Sequence, residues 1–93
     1  MGKFALGMRV TTRGVADRIA SDEVFAQFVA ASLQRHLSGD WGNLCAEDKA
    51  ENELSLQNGF RLLSAYEVEG LPKIWIITER DRSATTVLFP EEY

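Results

Sequence analysis

The spacing of apolar residues changes once along this chain, from a helical period to a strand period. Val24, Phe25, Phe28, Val29, Leu33 and Leu37 lie three and four positions apart, which is one apolar stripe on a helix facing a core. Ser21 stands where an N-cap belongs, and Asp22 and Glu23 follow in the first turn, where the positive helix end favours acids. Arg35 and His36 fall in the last turn, the favourable end for cations, and Gly39 supplies a left-handed stop. These signals predict a helix over 22–37. A second helix is predicted over 46–58, opened by Glu47 and Asp48 and ended by Asn58-Gly59. Its contact line is Ala46, Ala50 and Leu54, and its other positions are largely polar or charged, as on a surface helix.

Beyond Gly59 the pattern becomes that of strands. Residues 60–66, 73–79 and 84–89 are rich in β-branched and aromatic residues; Gly70 and Pro72 mark one turn between them, Arg80 to Ser83 the next, and Pro90 stops the last. Short connections favour antiparallel neighbours. Residues 1–11 read as an extended arm or an edge strand, and 13–20 add a helical turn or two. The expected fold is therefore α+β: N-terminal helices packed on a C-terminal three- to four-stranded antiparallel β-meander, with residues 1–93 as a single domain. Ile74 to Ile77 is apolar at every position, so the middle strand is buried on both faces or its second face meets a partner. A homodimer through that face, with Trp75 or Phe89 in the contact, follows as an expectation.

Composition narrows the function classes. The chain has 93 residues, 45% of them hydrophobic and 26% charged, the balance of one folded domain. A net charge of −4 argues against nucleic acid as the main partner, since phosphate binding needs a basic face. That reading would need Arg9, Arg13, Arg18, Arg35 or Arg61 to share one face. Single Cys and His residues, Cys45 and His36, offer neither an internal disulfide nor a typical zinc site, so no metal and no cofactor is expected. No segment reads as a signal peptide or a membrane span, which makes the cytoplasm the expected location.

No strong catalytic motif is present, so each candidate is weighed against a plainer reading. His36 could act as a general base oriented by Asp40, but a helix-end cation beside a turn carboxylate explains the pair as well. Trp41, in the Asp40-Trp41-Gly42 turn, is either an exposed anchor for a partner or a plug at the edge of the core. Arg80 and Arg82, with Arg61 if its strand is adjacent, could grip an anion. Glu79 and Asp81 would partly neutralise such a site, and a solvated hairpin turn with internal ion pairs explains the same residues. This turn remains the favoured functional surface, because function concentrates on loops held by rigid elements. Thr78, Thr85 and Thr86 read as β-propensity alone.

Residues 36–44, His-Leu-Ser-Gly-Asp-Trp-Gly-Asn-Leu, with Glu47-Asp48, Asn52, Leu62 to Tyr66 and the tail from Ile74 to Tyr93, resemble an uncharacterised family of short bacterial proteins. They are usually labelled plasmid-related, and some are labelled restriction-modification subunits, although 93 residues are too few for a methyltransferase or a restriction nuclease. The resemblance spans roughly residues 12–93, with Asn43 where the family more often has Asp. It implies a setting on bacterial mobile elements and brings no activity with it. The leading expectation is a small non-enzymatic binding or accessory protein acting through protein contacts, with a partner protein or as a homodimer. The alternatives are a small hydrolase- or nuclease-like enzyme or toxin using His36, Asp40 and the Glu79–Arg82 turn, and a nucleic-acid-binding regulator.

Overall fold

The computed structural model describes residues 2–93; Met1, counted in the single domain expected from the sequence, lies outside them. The elements are β1 (Met8–Thr11), α1 (Arg13–Ser21), α2 (Glu23–Leu37), α3 (Ala46–Asn58), β2 (Leu62–Tyr66), β3 (Ile74–Thr78) and β4 (Ala84–Leu88), followed by a 3-10 turn at Pro90–Glu92. The class is α+β, but the sheet is not a purely antiparallel meander. Its strand order is β1-β4-β3-β2, with β2–β3 and β3–β4 antiparallel and β1 parallel to β4. Short turns fix the direction of β2, β3 and β4. β1 is separated from β4 by all three helices, a connection long enough to return the chain in the parallel sense.

Ser21 is the last residue of α1, and the N-cap of α2 is Asp22, whose Oδ1 accepts from the Phe25 N–H at 3.1 Å. Its Oδ2 accepts from Arg18 Nε at 3.0 Å. The Phe25 N–H and then Arg18 hold the Asp22 carboxyl below its ordinary value. Within the predicted stripe Phe25 and Val29 are buried, Phe28 and Leu33 pack beside them, and Val24 is 63% exposed, one position off the stripe. The buried line of α2 continues instead through Ser32 and His36.

α3 has the predicted bounds but not the predicted face. Ala46, Ala50 and Leu54 are exposed, and its buried residue is Asn52. The Asn52 amide behaves as one residue of a neighbouring strand: Nδ2 donates to the Leu63 carbonyl, and Oδ1 accepts from the Leu63 N–H at 3.2 Å. The loop before α3 completes the seal. Trp41 O accepts from Ala65 N at 3.3 Å, and Asn43 N donates to Ala65 O at 2.7 Å. Asn43 Oδ1 then accepts from Glu67 N at 3.0 Å. The outer edge of β2 is thus closed by polar groups, as an edge next to a buried face requires.

The register places Leu62, Ser64, Tyr66, Ile74, Ile76, Thr78, Thr85 and Val87 on one face, beneath α1 and α2. Val15, Phe25, Val29, Tyr66, Ile74, Ile76 and Val87 form the core there. The opposite face carries Leu63, Ala65, Trp75, Ile77, Thr86 and Leu88, extended across β1 by Met8 and Val10. Tyr93 lies edge-on to Trp75 at 5.7 Å on that side. Phe89 instead packs on Phe25 at 5.8 Å, on the helix-covered side, so of the two residues offered for a dimer contact Trp75 alone lies on the second face.

Candidate functional site

His36 is fully buried, and both ring nitrogens are bonded. Nδ1 meets the Ser64 hydroxyl, and Nε2 lies 2.8 Å from Thr78 Oγ1. Thr78 Oγ1 is 2.8 Å from Thr85 Oγ1, which donates to the Leu6 carbonyl at 2.7 Å. One proton per hydroxyl fixes every direction in this chain. Thr85 spends its proton on Leu6, so Thr78 must donate to Thr85 and can only accept from His36 Nε2–H. Nδ1 of the neutral ring is then the acceptor for Ser64. Phe4 and Trp41 close the ring from outside, edge-on at 5.3 and 5.7 Å. Phe4 belongs to the N-terminal arm, which Lys3 N ties to Leu37 O at 2.9 Å.

Burial, and then the nearby Arg82 guanidinium, lower the His36 pKa from 6.5 to about 4. The ring is neutral in the fold and takes up a proton more readily when unfolded, so stability is fully present above the unfolded value and is lost as pH falls. Between about pH 7 and about pH 5 the loss attributable to His36 is about 2 kcal/mol. Urea unfolding at the two pH values measures it. A wild-type stability that stays flat over this window would contradict the buried neutral ring. The serine–imidazole contact therefore holds the core and is not an exposed nucleophile: Ser64, His36, Thr78 and Thr85 are all at most marginally accessible.

Asp40 does not orient His36. Its carboxylate accepts from Arg35 Nε at 2.7 Å and Nη2 at 3.2 Å, and from Gly42 N at 3.1 Å. The Arg35 hydrogen bond is the main cause that holds its carboxyl below the ordinary value. Arg35 also lies over the Tyr66 ring at 4.9 Å, and the Tyr66 hydroxyl donates to Asp40 O at 2.6 Å. Burial pushes the Tyr66 phenol up to about 12. Trp41 is only 3% exposed, with Nε1 donating to Glu53 at 2.7 Å, so it plugs the core edge and offers no anchor to a partner.

The Glu79–Arg82 turn divides its side chains. Arg82 takes φ +60 and donates through Nη1 to Phe60 O at 2.7 Å and Glu79 O at 3.0 Å, with its guanidinium 5.7 Å from the Phe4 ring. It staples the turn and is not open to grip an anion. Asp81 accepts from Ser83 N at 3.0 Å, and the Ser83 side chain and backbone hold its carboxyl low. Arg80 is exposed at the turn. Glu79 points to the opposite sheet face, where it lies 3.9 Å from Arg61 Nε. Arg61 Nη1 donates to the Tyr93 hydroxyl at 3.0 Å, with the guanidinium 5.5 Å from that ring.

The open sheet face holds two hollows that share Arg61. One, of about 320 Å³, is bounded by Leu44, Asp48, Glu51, Asn52, Ser55 and Leu63. The other, of about 230 Å³, has Ile77, Thr86 and Leu88 beneath Thr12, Glu79, Glu92 and Tyr93. Among the predicted residues the structure brings Arg61 and Glu79 together here, and leaves His36, Asp40, Trp41, Asp81 and Arg82 in structural roles elsewhere. The arginines that a nucleic-acid face would need are dispersed: Arg18 and Arg35 are paired with Asp22 and Asp40, and Arg61 lies on the face away from α2. Among the described residues no group of three His, Cys, Asp or Glu side chains is placed to hold a metal, and no helix is long and apolar enough to cross a membrane.

Sequence reasoning missed Tyr93, Asp48 and Glu51 at the hollows and Ser64 beside His36, and it took Thr86 at the second hollow and Thr78 and Thr85 in the His36 chain for β-propensity alone. The residues around His36 had a signal. His36 continues the line of Phe25, Val29 and Ser32, and Thr78 and Thr85 occupy core-facing positions in β3 and β4. Those at the hollows had none, because local pattern does not show what a terminal segment folds back upon. Comparison of the chain with protein-family models, with curated proteins and with solved structures gave no match.

Proposed function

We propose that this chain is a small non-enzymatic binding or accessory protein of a bacterial mobile element, acting through protein contact at the open face of its sheet. The observation that carries the reading is the partial cover of that face. Met8 is 70% and Val10 37% exposed, Trp75 is half-buried, and two hollows interrupt the surface between α3 and the C-terminal turn. Exposed apolar side chains on one sheet face, beside hollows rimmed by polar groups, support a contact surface there. Thr86 lies at the floor, so Thr86→Arg fills the second hollow without touching the helix-side core. A stoichiometric partner should copurify with the wild-type chain from its own cells and be lost with a folded Thr86→Arg variant. Equal recovery with the variant, or no stoichiometric partner with either, removes the reading.

A second reading, a hydrolase- or nuclease-like activity, is favoured by one observation. Glu79, Arg61 and the Tyr93 hydroxyl surround the same open hollow, giving a carboxylate base, a cation for developing negative charge and a phenolic donor. Cleavage of a defined single-stranded RNA that Arg61→Ala abolishes would establish it, and no cleavage by wild type would dismiss it.

A further inference from the structure

We propose that the open face receives a basic, apolar segment of a partner protein, with bulky side chains in the two hollows and lysines or arginines against the rim; the proposal rests on the docking reading above. The rim decides the charge. Asp48 and Glu51 border the first hollow, Glu79 and Glu92 the second, and the one cation lining either is Arg61. Arg61 is already engaged by the Tyr93 hydroxyl and ring and lies beside Glu79. Glu92 accepts from the Thr12 hydroxyl at 2.5 Å, Phe89 N at 3.0 Å and Gly14 N at 3.1 Å, which fixes its carboxylate at the rim. Four carboxylates against one guanidinium, on a chain of net charge −4, make this face repel a second copy of itself. A cationic partner is what remains. The exposed Met8 and Val10 and the half-buried Trp75 and Leu63 on this face ask that partner for apolar side chains as well, whereas Ile77 and Leu88, 3% and 4% exposed, only line the base of the second hollow.

The test is selection of displayed random peptides, about a dozen residues long, on the immobilised full chain, repeated on Thr86→Arg and on Tyr93→Ala, the latter altering a residue that is 69% exposed and therefore safe for folding. Enriched sequences are expected to combine Lys or Arg with bulky apolar residues and to be depleted in Asp and Glu. A synthetic consensus peptide should bind about tenfold more weakly to the Asp48→Asn/Glu51→Gln variant, and more weakly in high salt. Enrichment of acidic or uncharged sequences that still depends on Thr86 and Tyr93, or a dimer in light scattering that Tyr93→Ala dissociates, overturns the charge assignment and leaves the docking face standing. Enrichment that neither substitution changes, or no enrichment, overturns both.

Discussion

His36→Ala is expected to lower stability by about 4 kcal/mol, through a buried cavity and hydroxyls left without partners. For a domain of this length that is a fall in melting temperature of about 20 °C. The size follows from the position of the ring. It joins the side chains of Ser64 on β2 and Thr78 on β3, and through Thr85 it reaches Leu6 on the N-terminal arm. Truncation strands the Ser64 O–H and removes the donor to Thr78 in a region where water has no access. Phe4 and Trp41 lose the edge they pack on. A triple variant, His36→Leu with Ser64→Ala and Thr78→Val, should recover much of the loss, because apolar replacement of these three groups leaves no donor unpaired: Thr85 still donates to Leu6. It should also lose the wild-type dependence of stability on pH between about pH 7 and about pH 5. Calorimetry of the single and triple variants decides the point: a single variant that melts within about 5 °C of wild type would show that the chain of hydrogen bonds adds little.

Gly42→Ala is the second large effect, about 3 kcal/mol. Gly42 has φ +75, and a Cβ there would collide with the Ala65 carbonyl oxygen and with the Tyr66 ring carbons Cδ1 and Cε1 at 2.7 and 2.8 Å. Neither obstacle can yield cheaply. The Ala65 carbonyl accepts from Asn43 N in the bridge that seals β2, and Tyr66 is fully buried with its hydroxyl on Asp40 O. Gly59→Ala is the internal control: φ is +73, but nothing lies within 4 Å of the added carbon. It should lose only the conformational term, about 1 kcal/mol. Equal losses from the two substitutions would show that backbone strain alone, and not the close approach to β2, sets the cost at Gly42.

The legible part of the fold was the part encoded by local pattern. The α2 stripe, the bounds of α3, the three C-terminal strands and the α+β class follow from periodicity and turn residues within a few positions of each other. The misreadings share one cause. Periodicity registers apolar burial and is blind to a polar residue buried because another element needs its hydrogen bonds. Asn52 is buried to satisfy Leu63 and His36 to join Ser64 and Thr78, and the half-buried Arg82 is turned inward to hold two carbonyls. Each looked like a surface or helix-end residue in its own neighbourhood.

The candidate site was half legible. Arg61 and Glu79 were singled out, yet as parts of a turn whose Asp81 and Arg82 prove to be bonded within the fold. Their meeting with Tyr93, and the acidic rim that α3 and the C-terminal turn give the open face, depend on segments far apart in sequence. The sequence by itself determined that residues 22–37 and 46–58 are helical, that three strands follow Gly59 and that β3 is apolar on both sides, and it left residues 1–20 as an arm or edge strand with a helical turn or two. The tertiary structure alone decided that β1 joins β4 in parallel, that one face is closed by helices and the other left partly open, and which charges border it. The physical reason is range: helix and strand signals act over a few residues, whereas register, edge sealing and the electrostatics of a face are set by groups that only folding brings together.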